Sequence, residues 1–181
     1  MARTAVAGGI RLIEITWTCD RPQQLIQQLR EERPDCTIGC GTILTQEQLK
    51  SAIACGSQFC FTPHIDVNLI QTAIAADIPI IPGALTPTEI VQASQAGAEY
   101  VKVFPIQSVG GARYLESLKG PLPHIPLIPS GGIDLDNAVR LLEAGAIALV
   151  LSRALFPKAL LKQQDWLSIS QRVSSLLEKL G

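Results

Sequence analysis

Short apolar runs alternate with amphipathic segments along the whole chain, and several of these runs are entered through the same junction. "AVAGGIRLIEI", "AIACGSQFCF", "ASQAGAEYVKV" and "LLEAGAIALVL" each end a helical pattern on a small residue and glycine, then open an apolar run. Glycine adopts the left-handed conformation that ends a helix at little cost, so the junction reads as a helix stop that feeds a strand. The runs are "RLIEIT" (11–16), "TIGCGTIL" (37–44), "QFCFTP" (58–63), "IPIIPG" (78–83), "YVKVFP" (100–105), "IPLIPSGG" (125–132) and "AIALVLS" (146–152). They recur every 20 to 27 residues, roughly the size of a strand–helix unit in a parallel sheet. They are apolar on both faces, as strands covered on both sides are. Thr16, Thr42, Thr62, Pro82, Pro105 and Ser130 close them.

The segments between have helix starts, as in "TPTEIVQASQAG", where Thr86 or Thr88 can cap and Pro87 suits the first turn. The C-terminal "WLSISQRVSSLLEKL" is an amphipathic helix expected to close the domain. Seven strand–helix units point to a (β/α) barrel. An open doubly wound sheet is the alternative, but it would usually carry a glycine-rich fingerprint after its first strand, and "EITWTCDRP" has none. No linker or low-complexity segment interrupts the pattern, so residues 1–181 read as one domain.

A (β/α)8 barrel closes with eight strands, and the count here is seven. Residues 2–9, "ARTAVAGG", look like the tail of a helix that an earlier strand would precede. The expectation is a barrel lacking its first strand, truncated at the N-terminus, with the runs at 11 and 146 facing each other across a gap as unpaired edges.

Composition bounds the partners. The chain is 47% hydrophobic and 17% charged with a net charge of -1, so there is no electrostatic case for nucleic acid or an anionic membrane. No apolar run reaches the roughly 18 residues of a membrane span, and the N-terminus has no secretory pattern. The five cysteines are odd in number and form no CxxC, and Cys40 and Cys60 alternate with apolar residues. They read as reduced, buried small hydrophobes of a cytoplasmic protein. No His, Cys or carboxylate grouping has metal-ligand spacing, so neither metal nor cofactor is expected.

In such a barrel, chemistry gathers at the C-terminal ends of the strands. Two charges interrupt the apolar runs there: Glu14 in "LIEIT" and Lys102 in "YVKVFP". By alternation Lys102 shares a face with Tyr100 and Phe104, and Glu14 with Leu12 and Thr16. Alone, each also reads as a snorkelling or ion-paired residue. Together inside one barrel they make a Schiff-base lysine with a general acid/base, since burial lowers a lysine pKa and frees the amine to attack. "IPSGGI" (128–133) ends a strand in Ser130, Gly131 and Gly132, and "DLDNAVRLLEAG" follows as a helix start. That pairing suits an anion, and it suits an ordinary turn and cap equally. Thr42 and Thr62 could touch a substrate carboxylate or cap the next helix. His64 reads first as a loop histidine at the same barrel end, with acid/base work as its alternative. His124, ahead of its strand, falls on the opposite end and is given no chemistry.

"GGIRLIEIT", "GCGTIL", "FTPH", "IPIIPGALTPTE", "VKVFP" with its following "GG", and "IPSGGI", in this order, resemble the 2-keto-3-deoxy-6-phosphogluconate aldolases. These are the class I lyases also known as Entner–Doudoroff aldolases, grouped with 4-hydroxy-2-oxoglutarate and 2-keto-3-deoxy-6-phosphogalactonate aldolases. The resemblance implies a (β/α)8 barrel, a homotrimer, and cleavage of a 2-keto acid to pyruvate without a cofactor. It makes Lys102 the imine-forming lysine and Glu14 the proton-moving glutamate. Thr42 and Pro63 would line the pyruvate end and Phe104 would lie beside the imine. Ser130, Gly131 and Gly132 would contact substrate and phosphate. Two departures stand out: Thr18 where the family often has Arg, and Leu151, Ser152 and Arg153 where it commonly has "GGS". Arg153 would offer the phosphate a guanidinium in place of glycine backbone. The readings from other classes are a phosphate-binding barrel isomerase or epimerase and a non-catalytic truncated barrel.

Overall fold

The four junction glycines Gly9, Gly56, Gly97 and Gly145 all lie in the left-handed region, with φ between 86° and 112°. In the computed structural model, which describes residues 1–180, each turns a helix end directly into an extended run. The strands are β1 (Leu12–Thr16), β2 (Thr37–Gly41), β3 (Cys60–Phe61), β4 (Ile80–Ile81), β5 (Gly83–Ala84), β6 (Val101–Val103) and β7 (Leu127–Pro129). The helices are α1 (Ala2–Ala7), α2 (Pro22–Glu32), α3 (Gln46–Ala54), α4 (Val67–Ala75), α5 (Pro87–Gln95), α6 (Ala112–Lys119), α7 (Ala138–Glu143), α8 (Lys158–Gln163) and α9 (Trp166–Leu180).

All pairing is parallel and sequential: β1 to β4 form one sheet and β5 to β7 a second. The fourth run was expected to close at Pro82, but the chain passes through it and keeps pairing. Ile80 and Ile81 pair with β3, while Gly83 and Ala84 pair with β6. Pro82 has no N–H to give a ladder, but its carbonyl accepts from Lys102 N at 2.8 Å, so one run serves both sheets.

The run at 146–152 is not the strand its composition predicts. It joins β7 through a bridge between Ser130 and Val150, with Ile147 N donating to Leu127 O and Val150 N to Pro129 O, each at 3.1 Å. Its other side has no ladder, and β1 pairs only with β2 among the described residues. β1 also has a single neighbour yet pairs over five residues, so the run at 146–152 differs in meeting β7 at one bridge only. Leu12, 66% exposed, and Ile147, 51% exposed, mark the two sides of this open seam.

Two apolar layers fill the fold. Outside the sheets, Ile38, Cys40, Cys60, Val101, Val103 and Leu127 pack under the helices. Inside, Phe59, Phe61, Ile81 and Ile128 meet Tyr100 and Val150. Phe59 and Phe61 stand edge to face, 5.7 Å between ring centres, and a Cβ at Gly39 would come within 2.5 Å of the Phe59 ring. Cys36, Cys40, Cys55 and Cys60 are buried and Cys19 is partly exposed, all as free thiols. The C-terminal α9 buries Ile169, Val173 and Leu176, and Val173 packs close against Gly8 behind α1. No described helix is long and apolar enough to cross a membrane.

Of the two possible caps for α5, Thr86 is the one used, in a reciprocal box with Glu89. Thr86 Oγ1 accepts from Glu89 N at 3.3 Å, and Glu89 Oε2 accepts from Thr86 N at 2.7 Å. Thr86→Ala should lower unfolding free energy by about 1 kcal/mol in a urea titration at pH 7. Backbone N–H groups of Thr86, then Leu85, hold the Glu89 carboxyl below its usual 4.5. Its contribution is therefore present above pH 4.5 and lost as pH falls through the lowered value. Those backbone donors remain in Thr86→Ala, so wild type and variant should lose this contribution together in acid.

Candidate active site

β1 directs Ile13 into the outer layer and Glu14 to the inner side, opposite Gly39 of β2. A Cβ at Gly41 would collide with the Glu14 carboxylate. The glycines of "GCG" thus clear the space that Phe59 and Glu14 fill. Across the barrel, β6 sends Val101 and Val103 outward and Lys102 inward, where it is 7% exposed. The Lys102 Nζ lies 4.8 Å from the centre of the Phe104 ring and 5.5 Å from that of Phe61. Among the described residues it has no ion pair, so aromatic faces are its nearest favourable neighbours.

Burial shapes the electrostatics of both groups. It pushes the Lys102 amine below its ordinary 10.5, and the charge of Glu14 opposes that shift without cancelling it. Burial likewise raises Glu14 above 4.5, opposed by the charge of Lys102. A lysine of this kind holds more free amine near neutrality than a surface lysine does. The carboxyl, in turn, is within reach of a change of protonation.

Two cavities meet at Phe104. The larger, about 760 Å3, holds Pro63, His64, Gly83 and Ala84 and runs outward over Glu89 and Gln92 of α5. The smaller, about 590 Å3, holds Ser130, Gly131, Gly132, Ser152, Arg153 and Gln107. Ser130 is buried, while Ser152 and Arg153 are exposed at the rim. Gly131 and Gly132 have φ of 91° and 81°. A Cβ on Gly131 would stand 3.0 Å from the Phe104 ring, and one on Gly132 2.5 Å from Gln107 Cβ. These glycines therefore also admit two side chains, beyond any backbone approach to an anion.

The helix expected to start at Asp134 begins only at Ala138 and spans six residues. Asp134 Oδ1 accepts from the N–H groups of Asp136 and Asn137, both at 2.9 Å. This is the capping pattern that Asp66 makes at α4, so Asp134 caps a turn ahead of α7 and already occupies the N–H groups an anion there would use. The anion reading of "SGGIDLD" loses that support.

Neither Thr42 nor Thr62 caps a helix: Thr45 caps α3 and Asp66 caps α4. Thr42 has φ 62°, unusual for a β-branched residue. Its hydroxyl lies 3.0 Å from that of Thr16, which lies 3.3 Å from that of Thr18, so three hydroxyls line up where β1 and β2 end. Thr62 is buried and donates to His64 O at 2.5 Å. His64 lines the larger cavity, and His124 is exposed ahead of β7.

Sequence reasoning missed Thr16, Phe61 and Gln107. For Thr16 a signal existed, since alternation puts it on the face of Glu14. For Gln107 none did, because a glutamine in a loop carries no pattern.

A profile of the KDPG and KHG aldolase family matches residues 1–172. The 2-dehydro-3-deoxy-phosphogluconate aldolase of Pseudomonas aeruginosa is 32% identical over 181 residues, 100% of this chain and 82% of that protein. The KHG/KDPG aldolase of Escherichia coli is 29% identical over 178 residues, 98% of this chain and 84% of that one. A native KDPGal structure superposes with a TM-score of 0.88 at 26% identity, covering 98% of this chain and 84% of the other. A KDPG aldolase from Legionella pneumophila, with pyruvate captured at low pH as a covalent carbinolamine intermediate, superposes with a TM-score of 0.85 at 25% identity, covering 97% and 85%. The parallel strand–helix order is that of a (β/α)8 barrel aldolase, and the chain belongs to the KDPG and KHG aldolase family.

Proposed function

We propose that the chain is a class I aldolase that cleaves a 2-keto-3-deoxy-6-phospho sugar acid to pyruvate and glyceraldehyde 3-phosphate. The observation that carries this reading is the buried Lys102 amine beneath Phe104, its pKa lowered by burial, with Glu14 as the ionisable companion. A family member captured with pyruvate as a carbinolamine supports the same chemistry here.

The neutral amine of Lys102 attacks the C2 ketone to give a carbinolamine. Loss of water leaves a protonated imine, which withdraws electrons from C3. Glu14 takes the proton of the C4 hydroxyl, C4 becomes an aldehyde carbonyl, and the C3–C4 electron pair moves into the imine as an enamine. Protonation at C3 and hydrolysis release pyruvate and regenerate the amine. The iminium supplies the polarisation that a metal would otherwise provide.

Thr42 and Pro63 bound the pyruvate end, and Ser130, Gly131, Gly132, Ser152 and Arg153 bound the end that leaves. The neutral row Thr16–Thr18–Thr42 favours a second reading, a 4-hydroxy-2-oxoglutarate or 2-keto-3-deoxy-6-phosphogalactonate aldolase. Comparing turnover of phosphorylated and unphosphorylated substrates separates the 4-hydroxy-2-oxoglutarate enzyme from the other two, and comparing the two C4 epimers of the phosphorylated substrate separates those. A homotrimer in the cytoplasm is the working assembly, and sedimentation reads it directly.

Incubation with pyruvate and borohydride should add one pyruvate-derived group per chain, on the peptide that holds Lys102. Folded protein that takes up no adduct would turn the reading toward a phosphate-binding isomerase or a barrel without catalysis.

A further inference from the structure

Gln107 lies in the 3-10 turn Ile106–Val109 that follows the Lys102 strand, and its exposed side chain lies between Gly111 and Gly132. A Cβ on Gly132 would stand 2.5 Å from Gln107 Cβ, and one on Gly111 2.9 Å from Gln107 Oε1. Its backbone N–H donates to Gly131 O at 3.1 Å. Its stem thus packs against Gly132 and its amide end against Gly111, with the rest open to solvent.

Behind it, Asn137 has an amide whose polarity is determined twice. Asn137 Oδ1 accepts from Asp134 N at 2.9 Å, and Nδ2 donates to Gly132 O at 3.0 Å. Flipping the amide would set acceptor against acceptor and donor against donor. The same Nδ2 reaches Gln107 Oε1 at 3.4 Å. The carbonyl end of Gln107 therefore faces a donor, and its NH2 end is left for the cavity it lines with Ser130, Ser152 and Arg153.

We propose that Gln107 is a specificity-determining hydrogen-bond donor to the terminal phosphate of the leaving aldehyde half, and that Asn137 is the positioning residue that keeps the donor end turned toward it. This rests on the aldolase reading and deepens it by naming what recognises the leaving half. A neutral amide in the same cavity as Arg153 adds direction to a charge that alone would tolerate many orientations.

Three variants and two ligands test it. Gln107→Met keeps the packed stem and removes the donor. Gln107→Glu keeps the shape and puts an anion there. Asn137→Asp still accepts from Asp134 N but gives nothing to Gln107. Glycerol 3-phosphate, titrated by calorimetry, reads the cavity without any chemistry at Lys102. Its affinity should fall about tenfold in Gln107→Met, further in Gln107→Glu, and about threefold in Asn137→Asp. KM for the phosphorylated substrate should rise in parallel while kcat stays within about threefold, and pyruvate labelling of Lys102 should match wild type. An unphosphorylated substrate should be nearly indifferent to Gln107→Glu. In a Gln107→Met background the Asn137→Asp effect should shrink to what the lost Gly132 bond and the added charge cause on their own.

Unchanged glycerol 3-phosphate affinity in Gln107→Met overturns the proposal. So does an equal loss for both substrates in Gln107→Glu, or an Asn137→Asp effect that is undiminished in the double variant. If wild type is not labelled by pyruvate yet its phosphate affinity follows Gln107, the aldolase reading falls and the donor stands. Should Gln107→Met not fold, the nearly isosteric Gln107→Glu carries the test.

Discussion

Lys102→Met should lose turnover by at least roughly 10^4-fold, because it removes the group on which the covalent intermediate is built. The same variant should fold at least as well as wild type. Lys102 is 7% exposed, has no ion pair among the described residues, and lies between the Phe61 and Phe104 rings. A charged amine there costs desolvation, whereas a thioether of similar length packs well against aromatic rings. Activity and urea midpoint should therefore move in opposite directions, which a merely structural lysine would not produce. Lys102→Arg should be equally inactive, since a guanidinium stays protonated and cannot attack a ketone. Measurable turnover in Lys102→Met would end the Schiff-base mechanism for this chain.

The pH dependence of the wild type follows from the same burial. The amine must be neutral to attack, and its pKa lies below the ordinary 10.5. The rate of pyruvate labelling should rise with pH and level off above the lowered value, with a midpoint below that of an exposed lysine. A midpoint at or above 10.5 would mean that Glu14 outweighs desolvation.

Lys102 and Glu14 were legible in sequence because a charge inside an apolar run is costly, and a chain keeps it only for a reason. The barrel order was legible because glycine ends helices by a local rule that repeats four times. What depended on distant partners was not. Pro82 reads as a stop, because a proline cannot donate to a ladder, yet a carbonyl is all that Lys102 N requires. The apolar run at 146–152 reads as a strand, but pairing is a property of two strands, and it meets its neighbour at the single bridge of Val150 to Ser130. Asp134 does accept from the N–H groups of Asp136 and Asn137 as a cap would, but a turn at 135–137 stands between it and the regular helix that begins at Ala138. Phe61, an ordinary strand residue by pattern, becomes part of the site only once β3 curves round to face β6.

Glu14→Gln should lower kcat by about 10^2- to 10^4-fold, the usual worth of a general acid/base. It should also separate the two halves of the chemistry. Glutamine keeps the size of the side chain above Gly41, where there is no room for a Cβ, so the local packing should survive. The amine of Lys102 also remains, so borohydride should still trap pyruvate on it, more slowly than in wild type but to the same final extent. Lys102→Met should trap none. The charge of Glu14 is what raises the Lys102 pKa against burial. Removing that charge leaves desolvation unopposed, so the pH midpoint of trapping should move down in Glu14→Gln. A carboxylate that only filled space would leave the midpoint where it was. A downward shift together with a large loss of kcat would require Glu14 both to sense the lysine and to move the substrate's proton. An unchanged midpoint with full kcat would return Glu14 to the role of a buried polar residue and leave proton transfer to solvent or to the hydroxyls of Thr16 and Thr42.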